Sequence, residues 1–511
     1  MKFRLSLCLG AMIAAQALFS HEAIAGPEKA NAEKQVAALM ETLRADPPSL
    51  RAFMTEMPKG GDLHHHLDGS VWAEEILKWA DADGDCLDRV PHKIRPAPGT
   101  QNQVEARGLA ERDPLFYQAT IDAFSMRNFV PGTGTGETNG HDHTFATFDR
   151  FNLTVGKHLA DALVIARRQS VGDSLLYIET MTNPGVAFSD KLLGGVKKLD
   201  PNNLDAAYAQ IEKSLPAMVA EARAQYDESD RKVAAALKCG TAAAEPACDV
   251  RTKYLFFIIR TMQPEQVFAQ IALGFALNDA DPRFVGLNIV APEDNPIALR
   301  DYWLHMQMFR YFSKKYPDVK FTLHSGELWL GLVQPSELGF HIRGAVEVAG
   351  ASRIGHGYAL PFERDPWSLL AAMAKKKIAV EINLTSNEIT PGVKGEEHPL
   401  HMYRKAGVPL VLSADDGGVF RIDLTHEYVR AALEHGFTYP ELKEFSRNGL
   451  EYSFLEGASL WEAKGRRVTA CAQPGGQCEA FLKVNEKASA QYELERRFEA
   501  FEARILTVGL K

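Results

Sequence analysis

The chain has 511 residues, of which 46% are hydrophobic and 24% are charged, close to the average of globular proteins. A formal net charge of −9 argues against nucleic acid or an anionic membrane as a partner, because both call for a basic surface. The length would suit roughly two to four domains, but a single α/β barrel with insertions can also be this long. Composition therefore favours a folded protein with a small or neutral partner.

The first 25 residues have the pattern of an export signal. Lys2 and Arg4 precede an apolar stretch from Leu5 to Phe19, and Ala23-Ile24-Ala25 forms a small-x-small cleavage site. The apolar stretch is shorter than the roughly 20 residues that a spanning helix needs. We therefore predict cleavage after Ala25 and a secreted or periplasmic protein without a membrane span.

An exported protein is expected to use its cysteines for disulfides, because its compartment is oxidising. Cys239 and Cys248 bracket one short loop, and Cys471 and Cys478 bracket another. We predict that each pair forms a local disulfide, although connectivity cannot be proved from sequence. Cys86 is then left unpaired. Neither pair has C-x-x-C spacing, which argues against a cysteine zinc site.

Beyond residue 25 the sequence predicts three parts. We expect a helical extension at 26–57, a barrel at 58–460 and a second extension at 461–511, where Glu479–Ile505 reads as a charged amphipathic helix. These terminal helices either pack against the barrel or contribute to a homodimer, and the sequence leaves both possibilities open.

Eight short apolar runs lie in the predicted barrel: Asp62–Leu67, Leu175–Glu179, Tyr254–Arg260, Phe284–Val290, Val319–His324, Arg353–His356, Ile378–Leu384 and Pro409–Ser413. Most lack polar alternation, as expected for parallel strands buried on both faces. Helical segments at Ile297–Tyr316, Pro335–Ala349 and Thr425–His435 separate the later runs. This order predicts an α/β fold of the (β/α)8 TIM-barrel type. A doubly wound sheet is the alternative, but Leu67–Ser70 is not the Gly-rich phosphate loop of that fold.

More than 100 residues separate the first two runs, which predicts an insertion at about 81–143. The segment is rich in Asp, Gly and Pro, and we interpret it as a cap or flexible excursion over one barrel end. His141 and His143 have no strand to orient them here, so we expect both to be exposed to solvent.

Candidate metal ligands follow the predicted strands. Alternation along the first run places His64 and His66 on one face, towards the barrel interior, with His65 on the other. His324 ends the fifth run and Asp415 follows the eighth. Catalytic residues of TIM barrels lie at these strand ends, and three imidazoles with one carboxylate suit Zn²⁺ with an open position for water. Taken singly, a buried histidine can merely be hydrogen-bonded and an aspartate can cap a helix.

Four sequence blocks carry a resemblance to a known family. They are Met57-Pro58-Lys59-Gly60-Gly61-Asp62-Leu63-His64-His65-His66-Leu67-Asp68-Gly69, His324-Ser325-Gly326-Glu327, Arg353-Ile354-Gly355-His356-Gly357 and Ser413-Ala414-Asp415-Asp416. In this order the blocks resemble the adenosine deaminase family of zinc hydrolases, over about residues 57 to 430. The export signal, the glycines at 60 and 61 and the early insertion are most similar to its secreted branch, the adenosine deaminase-related growth factors.

The resemblance implies one zinc ion per chain, held by His64, His66, His324 and Asp415. Zinc hydroxide would attack C6 of adenosine or 2′-deoxyadenosine and release ammonia, with inosine as the product from adenosine. AMP is less attractive as a substrate, because no cluster of Lys and Arg lies beside the motifs to hold a phosphate.

The resemblance also implies roles around the base. Glu327 would protonate N1 of the purine, which requires a carboxyl kept protonated by a poorly solvated pocket. His356 would orient and deprotonate the zinc-bound water and stabilise developing charge. Asp416 would meet N7 through a shared proton, since a carboxylate and a lone pair repel each other. Gly326 would leave room for a flat base.

Asp68, Phe148 and Ala291 complete the expected substrate contacts. Phe148 belongs to a segment that resembles the apolar helix covering substrate in the family, although packing in the core is an equal interpretation. Ala291 stands where the family usually has Gly, so the contact of its backbone amide with N3 of the purine is in question. Gly417 stands where a proline commonly follows the two aspartates.

Other function classes fit the sequence less well. A binuclear amidohydrolase usually has a bridging lysine after the fourth strand, and residues 284–299 contain no lysine. A non-catalytic secreted binding protein on the same scaffold should lack a ligand or the acid, and this chain has all of them. An amidohydrolase acting on adenine or a modified purine remains a further alternative.

Overall fold

A computed structural model describes residues 26–97 and 99–508. The predicted export signal at residues 1–25 lies outside the described residues. Eight parallel strands form two sheets of four, and we number them in chain order. They are β1 (Lys59–His66), β2 (Leu175–Met181), β3 (Arg251–Ile259), β4 (Phe284–Val290), β5 (Thr322–Ser325), β6 (Arg353–His356), β7 (Ala379–Ile382) and β8 (Leu410–Leu412).

Two bridges close these sheets into one ring. Leu287 of β4 pairs in parallel with Phe321, directly before β5. His65 of β1 pairs with Asp415, three residues after β8, and the Asp415 amide donates to the carbonyl of His64 over 2.9 Å. Each strand therefore has a neighbour on both sides, as in a (β/α)8 barrel, and the predicted fold class is confirmed.

All eight predicted strands are present, with ends within three residues of the prediction. Phe284–Val290 and Arg353–His356 match residue for residue. The apolar runs located the strands because every side chain of β2, β5, β6, β7 and β8 is buried, so no polar alternation is needed.

Helices surround the ring. The longer ones in the barrel region are Ala73–Asp83, Gly140–Lys157, Leu159–Gly172, Leu204–Ile211, Leu215–Ala236, Pro264–Ala280, Pro296–Lys315, Pro366–Lys376, Leu424–His435 and Tyr439–Glu451. Shorter α-helical turns lie at Leu109–Arg112, Asp190–Leu193, His341–Arg343, Leu384–Ile389, Leu400–Lys405 and Gly417–Phe420. The helices predicted at 297–316 and 425–435 are confirmed within one residue at each end.

The segment predicted to be helical at Pro335–Ala349 is helical over most of its length, but it is not one α-helix. A short 3-10 turn at Pro335–Glu337 is followed by one α-helical turn and a π-helical turn at Gly344–Ala349. The hydroxyl of Tyr302 donates to the carbonyl of His341, which also accepts from the amide of Gly344 where the α-helical turn gives way to the π-helical one.

The insertion at 81–143 is more regular than predicted. Cys86–Asp88, Ile94–Arg95 and Gln103–Glu105 form a small antiparallel sheet, and Pro114–Ala123 is a helix. Leu87, one residue of this sheet, is completely buried. Leu87 and its buried neighbours join the main hydrophobic core, which favours the interpretation of this part as an ordered cap over that of a flexible excursion.

His141 and His143 are buried, contrary to the prediction that both are exposed. They are 8% and 4% accessible and belong to the helix Gly140–Lys157. Asn139 caps this helix by accepting a hydrogen bond from the amide of Asp142. The cap starts the helix directly before His141, which turns both imidazoles inward.

The terminal extensions are helical and pack beneath the barrel. The N-terminal extension forms Gly26–Leu43 and Pro47–Glu56, and the C-terminal one forms Gly476–Val484 and Glu486–Val508. Lys443, in the last helix of the barrel region, is paired with Glu33 at 2.8 Å and with Glu502 at 2.6 Å. These contacts support packing against the barrel, while the homodimer stays a prediction.

Both predicted disulfides are present, Cys239–Cys248 and Cys471–Cys478, and Cys86 is an unpaired buried thiol. Among the residues that the structure describes, no helix combines the length and apolar character that a bilayer crossing requires.

Loss of the first disulfide should destabilise the fold moderately. The bond closes a loop with a sequence separation of 9, and we expect Cys239→Ser/Cys248→Ser to lower the free energy of unfolding by about 2–3 kcal/mol. Urea denaturation of the variant and of wild type measures the difference. Cys471→Ser/Cys478→Ser, which opens a loop of similar size, is the matched control. Equal stability of the first variant and wild type would show that this bond does not constrain the unfolded chain.

Candidate metal centre and active site

Four ligand atoms converge at the carboxyl ends of β1, β5 and β8. Nε2 of His324 lies 3.1 Å from Nε2 of His64 and 3.2 Å from Nε2 of His66. Oδ1 of Asp415 lies 3.4 Å from the first and 3.3 Å from the second of the β1 imidazoles. These four distances are the separations expected between ligand atoms that each lie about 2.0 Å from a common tetrahedral ion, the zinc–nitrogen distance in proteins. The four predicted ligands therefore fit a small divalent cation.

His356 and Asp416 border this cluster. The ligand atoms of His64, His324, His356 and Asp415 all lie within 4.8 Å of one another, and those of His66, Asp415 and Asp416 form a second, overlapping group. The short approaches of Nε2 of His66 to His324 and Asp415 support the predicted ligand set, whereas His356 stays 3.8 Å from Asp415.

Neighbouring carboxylate and amide groups orient two of the imidazoles. Nδ1 of His64 donates to Oε2 of Glu381 over 2.7 Å, and Nδ1 of His324 donates to the side-chain oxygen of Asn288 over 3.0 Å. With the proton on Nδ1, the lone pair of each Nε2 points to the centre of the cluster. Such supports fix the tautomer of metal-binding histidines.

The electrostatics of the cluster favour positive charge. Burial lowers the pKa of His64, but hydrogen bonds with Asp415 and Glu381 outweigh this effect and raise the pKa to about 10. Burial and the charge of His64 hold the pKa of His324 well below its usual value. His64 thus faces two carboxylates, while His324 stays neutral. A bound cation would be stabilised by both features.

A buried ion-pair chain supports the cluster from below, and sequence reasoning missed it. Arg353 donates to Glu381 and to Glu179, each over 2.6 Å, and all three side chains are no more than 1% exposed. Thr322 donates to the same carboxylate of Glu381 over 2.8 Å. Charged residues inside otherwise apolar strands are the signal that could have identified this chain.

Backbone strain marks the strand ends of the site. His356, Asp415 and Ala291 have φ values of 62°, 59° and 77°, in the left-handed region that side chains other than glycine rarely adopt. Strained residues of this kind concentrate at functional sites. The left-handed conformation also explains why the family usually has glycine at the position of Ala291, since glycine adopts it without strain.

Glu327 and His356 face each other beside the metal ligands. Oε1 of Glu327 lies 3.7 Å from Nε2 of His356. Burial, reinforced by the nearby Asp415, raises the pKa of Glu327. Its backbone amide donates to Glu293 over 2.7 Å, and that buried carboxylate also accepts from His341 over 2.7 Å. The local environment therefore favours a protonated carboxyl at position 327.

Asp416 and Asp68 lie together at the mouth of the cluster. Oδ1 of Asp416 is buried and has no hydrogen-bond partner among the described residues. Burial raises the pKa of Asp416 well above its usual value, and Asp68 adds to the effect. A side chain at position 69 would collide with the Asp416 carboxylate, so Gly69 allows this approach. An unpartnered buried oxygen of this kind is available to a ligand.

For Phe148 and Gly326, two of the predicted substrate contacts, the structure shows packing contacts. Phe148 is half buried and packs against Phe151, with ring centroids 5.5 Å apart, which supports packing in the core. Gly326 has a φ of 68°, and a Cβ there would lie 2.5 Å from Ile342. The structure thus requires glycine at 326 for packing and backbone reasons, whatever its relation to a base.

His141 connects the helix of the insertion to the loop after β4. Its Nε2 donates to Asp294 over 3.1 Å and its Nδ1 to Asp142 over 3.0 Å. Burial lowers the pKa of His141, but the bond with Asp294 and the charge of Glu327 help to raise it to about 9. This residue, dismissed from the sequence, therefore carries positive charge near the predicted acid.

Known deaminases resemble this chain in sequence. The model of the adenosine deaminase family matches residues 205–460. Adenosine deaminase of Shewanella loihica is 40% identical over 124 residues, which cover 24% of this chain and 37% of that protein. Aminodeoxyfutalosine deaminase of Streptomyces coelicolor is 40% identical over 107 residues, 21% of this chain and 27% of that protein. The chain thus aligns with about a third of the length of the first relative and about a quarter of the second.

Solved structures share the fold at low identity. An amidohydrolase from Burkholderia ambifaria with bound zinc has a TM-score of 0.54 and 19% identity, covering 89% of this chain and 95% of its own. Arabidopsis ADAL complexed with IMP has a TM-score of 0.53 and 18% identity, covering 88% and 99%. At these identities the likeness concerns the barrel.

Removal of the charge on Glu381 should weaken metal binding. We expect Glu381→Gln to lower the affinity for zinc by about 10–100-fold, because a neutral amide orients His64 less firmly and leaves Arg353 without its partner. Titration of the apoprotein against a chromogenic chelator gives the affinity. Glu347→Gln, at an exposed carboxylate outside the barrel, should bind as wild type does. Unchanged affinity of Glu381→Gln would contradict the orienting role.

Proposed function

The chain belongs to the adenosine deaminase family, and from this premise we propose that it is a zinc-dependent purine nucleoside deaminase. Its reaction is the hydrolysis of the 6-amino group of adenosine or 2′-deoxyadenosine, with release of ammonia. The observation that carries the proposal is the convergence of His64, His66, His324 and Asp415 within 3.4 Å contacts, directly beside Glu327.

Each residue has a chemical role in this proposal. Zinc, when bound, supplies a water whose pKa is lowered towards 7. His356 orients that water, since its Nε2 faces the cluster and has no other partner among the described residues. Glu327 gives its proton to N1 of the purine, so that the ring accepts the attacking oxygen at C6. Asp416 holds N7 through its unpartnered oxygen, with one proton shared between them.

Recognition of a nucleoside fits the arginines of the barrel better than recognition of a nucleotide. Arg260 donates to the carbonyls of Val290, Ile289 and His324, and Arg353 is held between two carboxylates. Neither guanidinium is free to bind a phosphate. Because the Arabidopsis neighbour forms a complex with IMP, AMP is the comparison substrate for the test. Export after cleavage at Ala25 remains a prediction of the sequence.

The first experiment measures the proposed reaction directly. Purified protein loaded with zinc should convert adenosine to inosine, seen as a change in ultraviolet absorbance, and should convert AMP much more slowly. Dialysis against a chelator should abolish turnover and zinc should restore it, because all four ligands belong to the site that activates water. A zinc-loaded protein that hydrolyses esters or amides but leaves adenosine intact would refute the proposal.

Glu327→Gln tests the proton donor. The variant should retain zinc, since Glu327 is not among the four converging ligands, and should lose at least about 10²–10⁴-fold in kcat, because glutamine cannot protonate N1. Metal analysis and steady-state kinetics on adenosine provide the two readouts. Glu337→Gln, ten residues further along the chain, is the matched control with wild-type turnover expected. Near-normal kcat in Glu327→Gln would assign the acid to another residue.

A further inference from the structure

A chain of buried side chains lies behind His356, on the side away from the metal ligands. Nδ1 of His356 is 3.0 Å from the side-chain amide of Asn387, whose other end is 2.8 Å from Nε2 of His398. The three side chains are 1%, 0% and 3% exposed. In such a dry environment each donor needs an acceptor, so the chain has few permitted arrangements of protons.

A backbone amide determines in which direction the hydrogen bonds between these buried side chains run. The amide N–H of Leu400 lies 3.2 Å from Nδ1 of His398, and a backbone N–H can only donate. Nδ1 of His398 is therefore an acceptor. Burial, together with the charge of His435, lowers the pKa of His398 to about 3, so its ring is neutral and carries one proton. That proton must be on Nε2, facing Asn387.

The orientation of the Asn387 side-chain amide decides whether Nδ1 of His356 donates or accepts a hydrogen bond. As placed, its amide nitrogen faces Nε2 of His398, which would bring two donors together. The two ends of an amide have nearly the same shape and are assigned by their hydrogen bonds. With the ends exchanged, the oxygen accepts from His398 and the nitrogen donates to Nδ1 of His356. The side-chain nitrogen of Asn383, 3.3 Å from the same Nδ1, is a second donor.

We propose that Asn387 and His398 are positioning residues that keep Nδ1 of His356 a hydrogen-bond acceptor, so that the ring proton of His356 is on Nε2, towards the metal ligands. Nε2 of His356 lies 3.7 Å from Glu327 and 3.8 Å from Asp415 and has no hydrogen-bond partner among the described residues. An N–H in this position donates to the attacking water and stabilises negative charge on its oxygen. The inference rests on the proposed function and revises one role, since a ring in this tautomer does not accept the proton of the water.

Kinetics of variants at Asn387 and His398 test the inference. Asn387→Asp offers only acceptors and forces a proton onto Nδ1 of His356, so we expect kcat to fall by about 10²-fold with little change in KM. His398→Leu removes the donor that orients Asn387 and should lower kcat in the same way. His398→Gln, which can still donate to Asn387 and accept from Leu400, should restore most of the rate. His426→Gln, on the helix Leu424–His435 and outside this series of hydrogen bonds, should behave as wild type.

A spectroscopic measurement reads the tautomer directly. In zinc-loaded protein labelled with ¹⁵N-histidine, the signal of His356, assigned by its loss in His356→Gln, should show a proton on Nε2 and none on Nδ1. Asn387→Asp should move a proton to Nδ1. A wild-type ring protonated on Nδ1, or wild-type kcat in both Asn387→Asp and His398→Leu, overturns the inference. A protein that fails to deaminate adenosine refutes the proposed function, while the NMR result still decides the tautomer.

Discussion

The contact between His64 and its two buried carboxylates is the interaction on which the site depends. Asp415 approaches one nitrogen of this ring and Glu381 the other, at 3.4 and 2.7 Å. Buried charges are stable only when they are paired, so Glu381 needs Arg353, and Arg353 needs Glu179. The predicted metal ligands are thus one end of a charge network in the barrel interior.

The direction of the hydrogen bonds decides which ring nitrogen of each histidine in the site carries the proton. Asn288 and Glu381 keep protons on Nδ1 of two imidazoles and leave Nε2 free to bind. Behind His356 the Leu400 amide imposes the opposite tautomer through His398. The same residue type can therefore act as a ligand at one strand end and as a donor at the next.

Much of this could be predicted from the sequence. The barrel followed from eight apolar runs because strands buried on both faces carry a continuous signal. The four converging ligands were found because each lies at or directly after a strand end. One error had a clear physical cause. His141 was predicted to be exposed, since local composition does not show that Asp294 binds it.

By itself, then, the sequence determined the order of strands and helices, the predicted set of metal ligands and the two local disulfides, because these depend on short-range pattern and spacing. Only the tertiary structure decided which buried groups share protons. Glu381 lies 317 residues from His64 in the chain, and Arg353 lies 174 from Glu179. Closure of the ring brings such distant residues into a medium of low polarity, where each charge or donor must find its partner.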